Sequence, residues 1–277
     1  MRWRPMICYK GESGLGNGKY GNSVSNEFDR DTESYGGWKA AFDHPTLHNG
    51  MKDHEEIKRD WEDFSDTFGQ NVSDSDLDKI MGKFTSDGSV GYVRTANSFN
   101  INQKLYDEKN ANKTDEEIFT RTGKKGDKVD LETVRSLDRA IASGRTPSNA
   151  VYTRFVRYDA VQATYKFNDD QMRLLKNADI MSDSELRTLN DSMRGKVAYS
   201  RSYTSASGNR SLNVFQGKPV ERKLYIPKGT NAFAARKNSE ESEVVFGRNM
   251  NTELIGITIS KQGHVVLHER FVGYKKH

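Results

Sequence analysis

"DLETVRSLDRAIASGRTPSNAVYTRFVRY" (residues 130–158) changes period in its middle, and that change decides the fold class. Leu131, Val134, Leu137 and Ile141 recur at helical spacing, with Asp130 placed to cap the helix and Gly144 to end it. Beyond Gly144 come short runs of β-branched and aromatic residues, beginning with "NAVYTRFVRY". Upstream the helical texture reaches back to about residue 53. "DHEEIKRDWEDFSDTF" (53–68) lines up Ile57, Trp61, Phe64 and Phe68 on one face, and "SDSDLDKIMGKF" (73–84) offers serine and aspartate caps ahead of Leu77, Ile80 and Met81. Downstream, "KVAYSRSYTSAS", "RKLYIP", "SEVVFG", "ELIGITIS" and "HVVLHERFVG" read as further strands, with "KQGH" (261–264) as a hairpin turn. Helices first and strands after predict an α+β domain. Residues 1–52 read as a glycine-rich, irregular N-terminal extension and residues 53–277 as one domain, without internal repeats.

Composition narrows the class. Hydrophobic residues make up 34% of the 277 and charged residues 30%, and mean hydropathy is −0.86. The 25 phenylalanines and tyrosines still suffice for a core. No run of apolar residues is long enough to span a membrane. The start, "MRWRPMICYKGESG", lacks the apolar segment of a secretory leader. Cys8 stands alone, which excludes an internal disulfide framework and a cysteine-based zinc site and implies a reducing compartment. Net charge is +4, unevenly spread: residues 53–87 hold eleven acidic against four basic residues, and residues 196–237 nine basic against Glu221. That basic stretch suits a phosphate-bearing ligand, or nucleic acid.

Two tempting motifs fail on context. "GESGLGNGKYGNS" (11–23) would need glycine at Ser13 and a hydroxyl residue at Tyr20 to make a phosphate-binding P-loop. Gly16, Gly18 and Gly21 do satisfy G-x-G-x-x-G, but no apolar strand precedes them to aim backbone N–H groups at a pyrophosphate. His264 and His268 are four apart, a poor joint ligand pair on a strand, so no metal site is expected.

Three strand-borne features remain. Arg154 follows the 130–144 helix, "YTSAS" (203–207) sets Ser205 and Ser207 on one strand face, and "NSEESEVVFGRN" (238–249) packs three glutamates into four positions. Glu240 suits a solvated loop. If a strand begins at about Ser242, Glu241 and Glu243 share a face with Cβ atoms roughly 6–7 Å apart. Two carboxylates so placed repel each other, which is costly unless a partner or a reaction uses them. Arginine grips phosphate bidentately, serine orients a carboxylate, and a carboxylate can hold ribose hydroxyls and stabilise the cation formed as a glycosidic bond breaks. Each residue taken alone has an ordinary reading, as a strand-face charge, a strand-end hydrogen bonder or an exposed strand end.

In this order the chain resembles the arginine–serine–glutamate class of mono-ADP-ribosyltransferases. The likeness is to the exoenzyme branch of clostridial binary toxins and vegetative insecticidal proteins, and more distantly to T-even-type phage enzymes. "KFTSDGSVGYVRTANSFNINQKLYDE" (83–108), "VRSLDRAIASGRTPSNAVYTRF" (134–155) and "ERKLYIPKGTNAFAA" (221–235) are similar to further segments of that branch, so the likeness runs from about 54 to 277. It implies a helical part packed on a mixed or antiparallel two-sheet β core. It also implies an NAD+:protein-arginine ADP-ribosyltransferase, a pentosyl-type glycosyltransferase and toxin-like effector that consumes NAD+ as substrate and needs no cofactor or metal.

By the resemblance, Glu243 is the catalytic glutamate and Glu241 the upstream acid that goes with an arginine acceptor. Ser205 supports the glutamate and the NAD pocket with Ser207 beside it, Arg154 contacts the NAD phosphate, and Arg210 is a second phosphate contact. Two departures stand out. Thr153 intervenes between Tyr152 and Arg154, which implies a bulge or leaves Arg157 as the arginine. Ala206 replaces the threonine of the family's S-T-S motif. A glycohydrolase using water as acceptor, and a basic nucleic-acid-binding protein with Tyr199, Tyr203, Phe215 and Tyr225 interleaved among its cations, are the alternatives. The expected partners are NAD+ and an arginine-bearing target protein, without nucleic acid or membrane, for a monomer of bacterial or phage origin. It is expected to act in a host cell's cytoplasm, made there or carried by a virion or secretion machine.

Overall fold

The computed structural model describes residues 38–48, 53–85, 88–93, 95, 97–120 and 125–275. Cys8 and the glycine-rich stretch 11–23 lie outside the described residues. Helices α1 (Pro45–His48), α2 (His54–Asp66), α3 (Asp74–Ile80), α4 (Asn97–Tyr106), α5 (Asp115–Phe119) and α6 (Lys125–Ser143) come first, with strands β1 (Lys39–Ala40), β2 (Lys83–Thr85) and β3 (Gly88–Val90) among them. The Asp53 side chain caps α2 by accepting from the Glu55 and Glu56 N–H groups, and Ile57 and Trp61 are buried on the face that the periodicity marks. Ser73 caps α3 in the same way.

Helix α6 begins at Lys125, not at Asp130. Asp130 is a buried acceptor inside the helix, taking hydrogen bonds from Asn97 Nδ2 (2.9 Å) and Lys104 Nζ (2.8 Å). A capping residue and a buried pairing residue have the same letter, and only the tertiary partner separates them.

Strand β4 (Ala150–Val156) is followed by three helices, α7 (Tyr158–Tyr165), α8 (Asp169–Lys176) and α9 (Asp183–Met193), before β5 (Val197–Ser200). Helices first and strands after is thus too simple for residues 158–193. Capping boxes mark two of these helices, Asn168 with Gln171 and Ser182 with Glu185. They bury Val161, Met172, Leu175, Leu186 and Leu189 against the sheet residues Val220, Leu254, Ile257 and Leu267.

The rest of the chain is β6 (Thr204–Ser207), β7 (Val220–Ile226), β8 (Ala232–Ala234), β9 (Glu243–Phe246), β10 (Met250–Ile259) and β11 (Val265–Tyr274). Gly263, in the turn joining the last two, adopts the left-handed φ of 82° that glycine tolerates. The main sheet runs β5-β10-β11-β7-β4-β6-β9-β8, mostly antiparallel but parallel between β7 and β11. Its two limbs meet at a single pair, Thr153 with Ser207, so β4 and β6 part on either side of it. One core lies where the limbs face each other: Tyr152 and Leu224 from one, Ala206, Val244 and Phe246 from the other, closed by Ile57, Trp61 and Phe68. Another lies under α6, where Val134 and Leu137 meet Phe233 and Val245. Arg248 clamps this helical layer onto the sheet through Asp115 and Asp138.

Residues 38–48 also belong to this body, ahead of the boundary expected at 53. Strand β1 pairs with β4, and Phe42 is buried with its N–H on the Gly208 carbonyl (2.9 Å). No helix among the described residues is long and apolar enough to cross a membrane.

Candidate active site

The point where β4 and β6 diverge collects the chemistry. Glu243 opens β9 opposite Ser207 of β6. Its buried carboxylate accepts from Ser205 Oγ at 2.5 Å on one oxygen and from Asn238 Nδ2 at 2.8 Å on the other. Burial pushes the Glu243 carboxyl up. The Ser205 and Asn238 donors pull it back, Glu241 adds to the rise and Arg154 opposes it; the net direction is upward.

Glu241 lies close to Glu243, but not by strand alternation. The strand begins at Glu243, and Ser242 holds a left-handed φ of 41°, which breaks the i, i+2 relation. Such a conformation costs a non-glycine residue about 1–2 kcal/mol. Here the surroundings hold it in place. Ser242 is fully buried, its Oγ is 2.8 Å from Ser207 Oγ and accepts from the Asn209 N–H (3.1 Å), and its carbonyl accepts from the Gly208 N–H (2.8 Å). Asn238 bridges the carboxylates, its Nδ2 also reaching Glu241 Oε2 at 3.4 Å. Ser207 Oγ lies 2.6 Å from the Asn209 carbonyl and 2.7 Å from the Glu241 carbonyl, so it ties the turn, while Ser205 holds the Glu243 carboxylate.

Arg154 occupies the middle of β4 opposite Arg222, in a register with β7 that is unbroken from Ala150 to Val156. There is no bulge. Thr153 and Arg154 simply point to opposite faces, and Arg154 reaches across the divergence to donate to the Ser205 carbonyl at 3.2 Å. Burial and the neighbouring Arg222 pull its guanidinium down, while Tyr92 and Glu243 support the charge. Arg222 itself is neutralised by a bidentate pair with buried Glu269 (2.6 and 2.7 Å). Arg157, the fallback arginine, is exposed at the start of α7, beyond the strand.

Arg210 does not join this group. Its Nε donates to Glu221 at 2.9 and 3.0 Å, and its guanidinium lies 5.3 Å from the centre of the Phe155 ring. Phe155 and Glu221 are register partners on the sheet face opposite Arg154, which is why an arginine that follows the serine motif is drawn away. The cation that does gather here is Lys218, pulled down by burial and by Arg154 and Arg157, with Nζ 3.9 Å from the centre of the exposed Phe215 ring. Buried Tyr92 feels both Arg154 and Glu243 and accepts from Asn102 Nδ2 at 2.8 Å. Lys218, Tyr92 and Asn238 lie in quoted or counted stretches without standing out as site residues, and Phe215 figures only as an aromatic of the nucleic-acid alternative, because tertiary placement and no local pattern brings them here.

Nor is the basic stretch one open face. Arg210, Arg222 and Arg236 are turned onto Glu221, Glu269, and Glu62 with Asp66. His264 and His268 do not converge on one point: His268 is buried between Tyr225 and Thr258, and His264 Nδ1 meets the Lys218 carbonyl. Among the described residues, His44, Glu56 and Asp60 lie close enough to share a metal ion. His44 Nδ1 accepts the Thr46 N–H (3.2 Å), which leaves the ring proton on Nε2, facing Asp60 Oδ2 at 2.9 Å. That tautomer offers no lone pair to a metal.

Comparison with known proteins bears on this geometry. A family model described as ADP-ribosyltransferase exoenzyme matches residues 88–271. The epidermal cell differentiation inhibitor of Staphylococcus aureus is 29% identical over 124 residues, 44% of this chain and 49% of that protein, so the chain spans about half the length of this curated relative. The structure of C3stau2 from S. aureus with NAD is similar over 81% of this chain and 98% of that one, with 20% identity and a TM-score of 0.58. The Clostridium limosum C3 exoenzyme gives 79% and 94%, with 17% identity and 0.54. The binary enterotoxin component BECa of C. perfringens, with NADH, gives 80% and 49%, with 15% identity and 0.54. At these identities the structural likeness is one of fold.

Proposed function

The chain belongs to the ADP-ribosyltransferase exoenzyme family, and from that membership we propose that it transfers ADP-ribose from NAD+ to an arginine side chain of a target protein inside a host cell. The observation that carries the reading is the Glu243 carboxylate, buried, held by Ser205 and standing beside Arg154. Two proteins of the same fold, C3stau2 and BECa, have NAD and NADH with them.

In this reading Arg154 and Lys218 grip the diphosphate, and Phe215 offers its ring to a flat heterocycle. The glycosidic C–N bond breaks with its electron pair leaving on nicotinamide, and positive charge spreads over the ribose carbon and ring oxygen. Glu243 stabilises that charge and holds a ribose hydroxyl, while Ser205 fixes the carboxylate's orientation. The acceptor guanidinium nitrogen then attacks the ribose carbon. Its pKa lies above about 12, so its proton must leave as the new bond forms, and Glu241 receives it. Glu241 also selects arginine by pairing with the planar guanidinium before reaction.

The test is transfer of label from adenine-labelled NAD+ to proteins of bacterial and eukaryotic lysates. Labelled bands that vanish with Glu243→Gln are expected, together with a Glu241→Gln variant that still releases nicotinamide but no longer labels protein. Nicotinamide release without labelled protein would reduce the activity to hydrolysis. Folded wild type with neither activity would sink the reading.

A further inference from the structure

Asn238 lies outside the arginine, serine and glutamate positions, yet its side chain touches both carboxylates. It is 2% exposed, and a single amide nitrogen meets Glu243 Oε2 at 2.8 Å and Glu241 Oε2 at 3.4 Å. Its backbone closes a turn, donating to the Ala235 carbonyl at 2.8 Å, and the Ser242 N–H returns to Ser239 (3.1 Å). The turn is thus fixed at both ends, and the amide is held where its two hydrogens meet the two acids.

We infer that Asn238 is a positioning residue that holds Glu241 and Glu243 as one unit, binding the acid that selects the acceptor to the acid that stabilises the ribosyl cation. The inference rests on the functional reading above. The physical need follows from the geometry. Glu241 lies before a left-handed residue and has no strand register to fix it against Glu243, while like charge drives the pair apart. A carboxamide answers both problems. It donates to two anions, adds no charge that would neutralise either, and stays a donor at every pH at which the enzyme works.

A residue that only shaped the turn would alter stability and leave the chemistry alone. Asn238→Ala and the near-isosteric Asn238→Asp, compared with wild type, separate the two roles. Three quantities are read: kcat and KM for nicotinamide release as a function of pH, the ratio of protein labelling to nicotinamide release, and the titration of the Glu243 carboxyl by NMR with 13C-labelled glutamate, assigned through Glu243→Gln. In Asn238→Ala the Glu243 midpoint and the acid limb of kcat should both move to higher pH, because a donor to the ionised form is lost. kcat should fall roughly ten- to a hundredfold with KM for NAD+ little changed, and labelling should fall further than release. Asn238→Asp should move the midpoint further still, since it exchanges a donor for a third acid; it also carries the test should the alanine variant fail to fold. A folded variant with the wild-type midpoint and acid limb overturns the inference. If wild type itself cleaves no NAD+, the functional reading fails, and the carboxyl titration alone decides whether Asn238 couples the acids.

Discussion

Glu243 is costly to the folded chain. A carboxylate out of water, beside a second acid and with two neutral donors, is less stable than the same group in an unfolded chain, and the upward shift of its pKa records this. The sign of the consequence is fixed. With the folded value raised, the native state holds the proton more firmly than the unfolded state, whose glutamate titrates at about 4.3. The stability linked to Glu243 is therefore fully present below that value and is lost as pH rises through the folded value. Glu243→Gln does not titrate, so its melting temperature relative to wild type should climb between acid and neutral pH. The glutamine also forfeits the Asn238 contact, but that offset does not depend on pH; the slope is the readout. A flat or falling difference would mean that Glu243 is not strained in the folded state. At this scale the partnership of Ser205 with Glu243 is what the family resemblance implies, and the β6–β9 register, which neither strand shows alone, makes the contact. The partnership of Glu241 with Glu243 was legible for the wrong reason, because a left-handed Ser242 cannot be read from a serine.

Helix α6 ends where it does because of its neighbour. Gly144 does not need a positive φ; a Cβ there would stand 2.2 Å from the Ala232 carbonyl oxygen of β8, a distance no backbone contact allows. The glycine lets the helix end dock on the sheet edge, where the Ala232 N–H also donates to the Gly144 carbonyl (3.3 Å). Gly126, in the first turn of the same helix, has no neighbour within 4 Å of such an atom. The same substitution should thus have opposite effects. Gly144→Ala is expected to lose about 1–3 kcal/mol by overpacking, and Gly126→Ala to gain about 0.5 kcal/mol of helix propensity, both measured by denaturant unfolding. Equal effects at the two sites would refute the docking argument. Elements of this kind are readable when periodicity is long, as in α2 and α6, or when strands are aromatic and branched, as in β4 and β11. Helices α7 to α9 are announced only by two capping boxes, and they interrupt a half of the chain whose other segments read as strands. The start of α6 was missed because its first turn carries no apolar stripe.

Cations stand beside the two acids at the divergence of the molecule's two limbs. Glu269 neutralises Arg222 and Glu221 engages Arg210, whereas Arg154, Arg157 and Lys218 stand close enough for the two arginines to pull the lysine down. Composition over residues 196–237 pointed to a basic region but could not say which cations the fold would turn onto acids. That depends on which sheet face each residue takes, and so on strand ends a single position can shift. Like charges held together in the free protein should be relieved by a dianion. NAD+ and ADP-ribose, which share the diphosphate, are therefore expected to raise the melting temperature, nicotinamide alone should not, and the shift should shrink as salt rises. Arg154→Ala and Lys218→Ala should each weaken ADP-ribose binding about tenfold, roughly 1.4 kcal/mol. Arg210→Ala, which breaks a pair with buried Glu221, should lower the melting temperature of the free protein and leave the ligand-induced shift intact. The opposite pattern, with binding lost at Arg210 and kept at Lys218, would return the diphosphate to the arginine after the serine motif and require the loop between β6 and β7 to turn over when ligand binds.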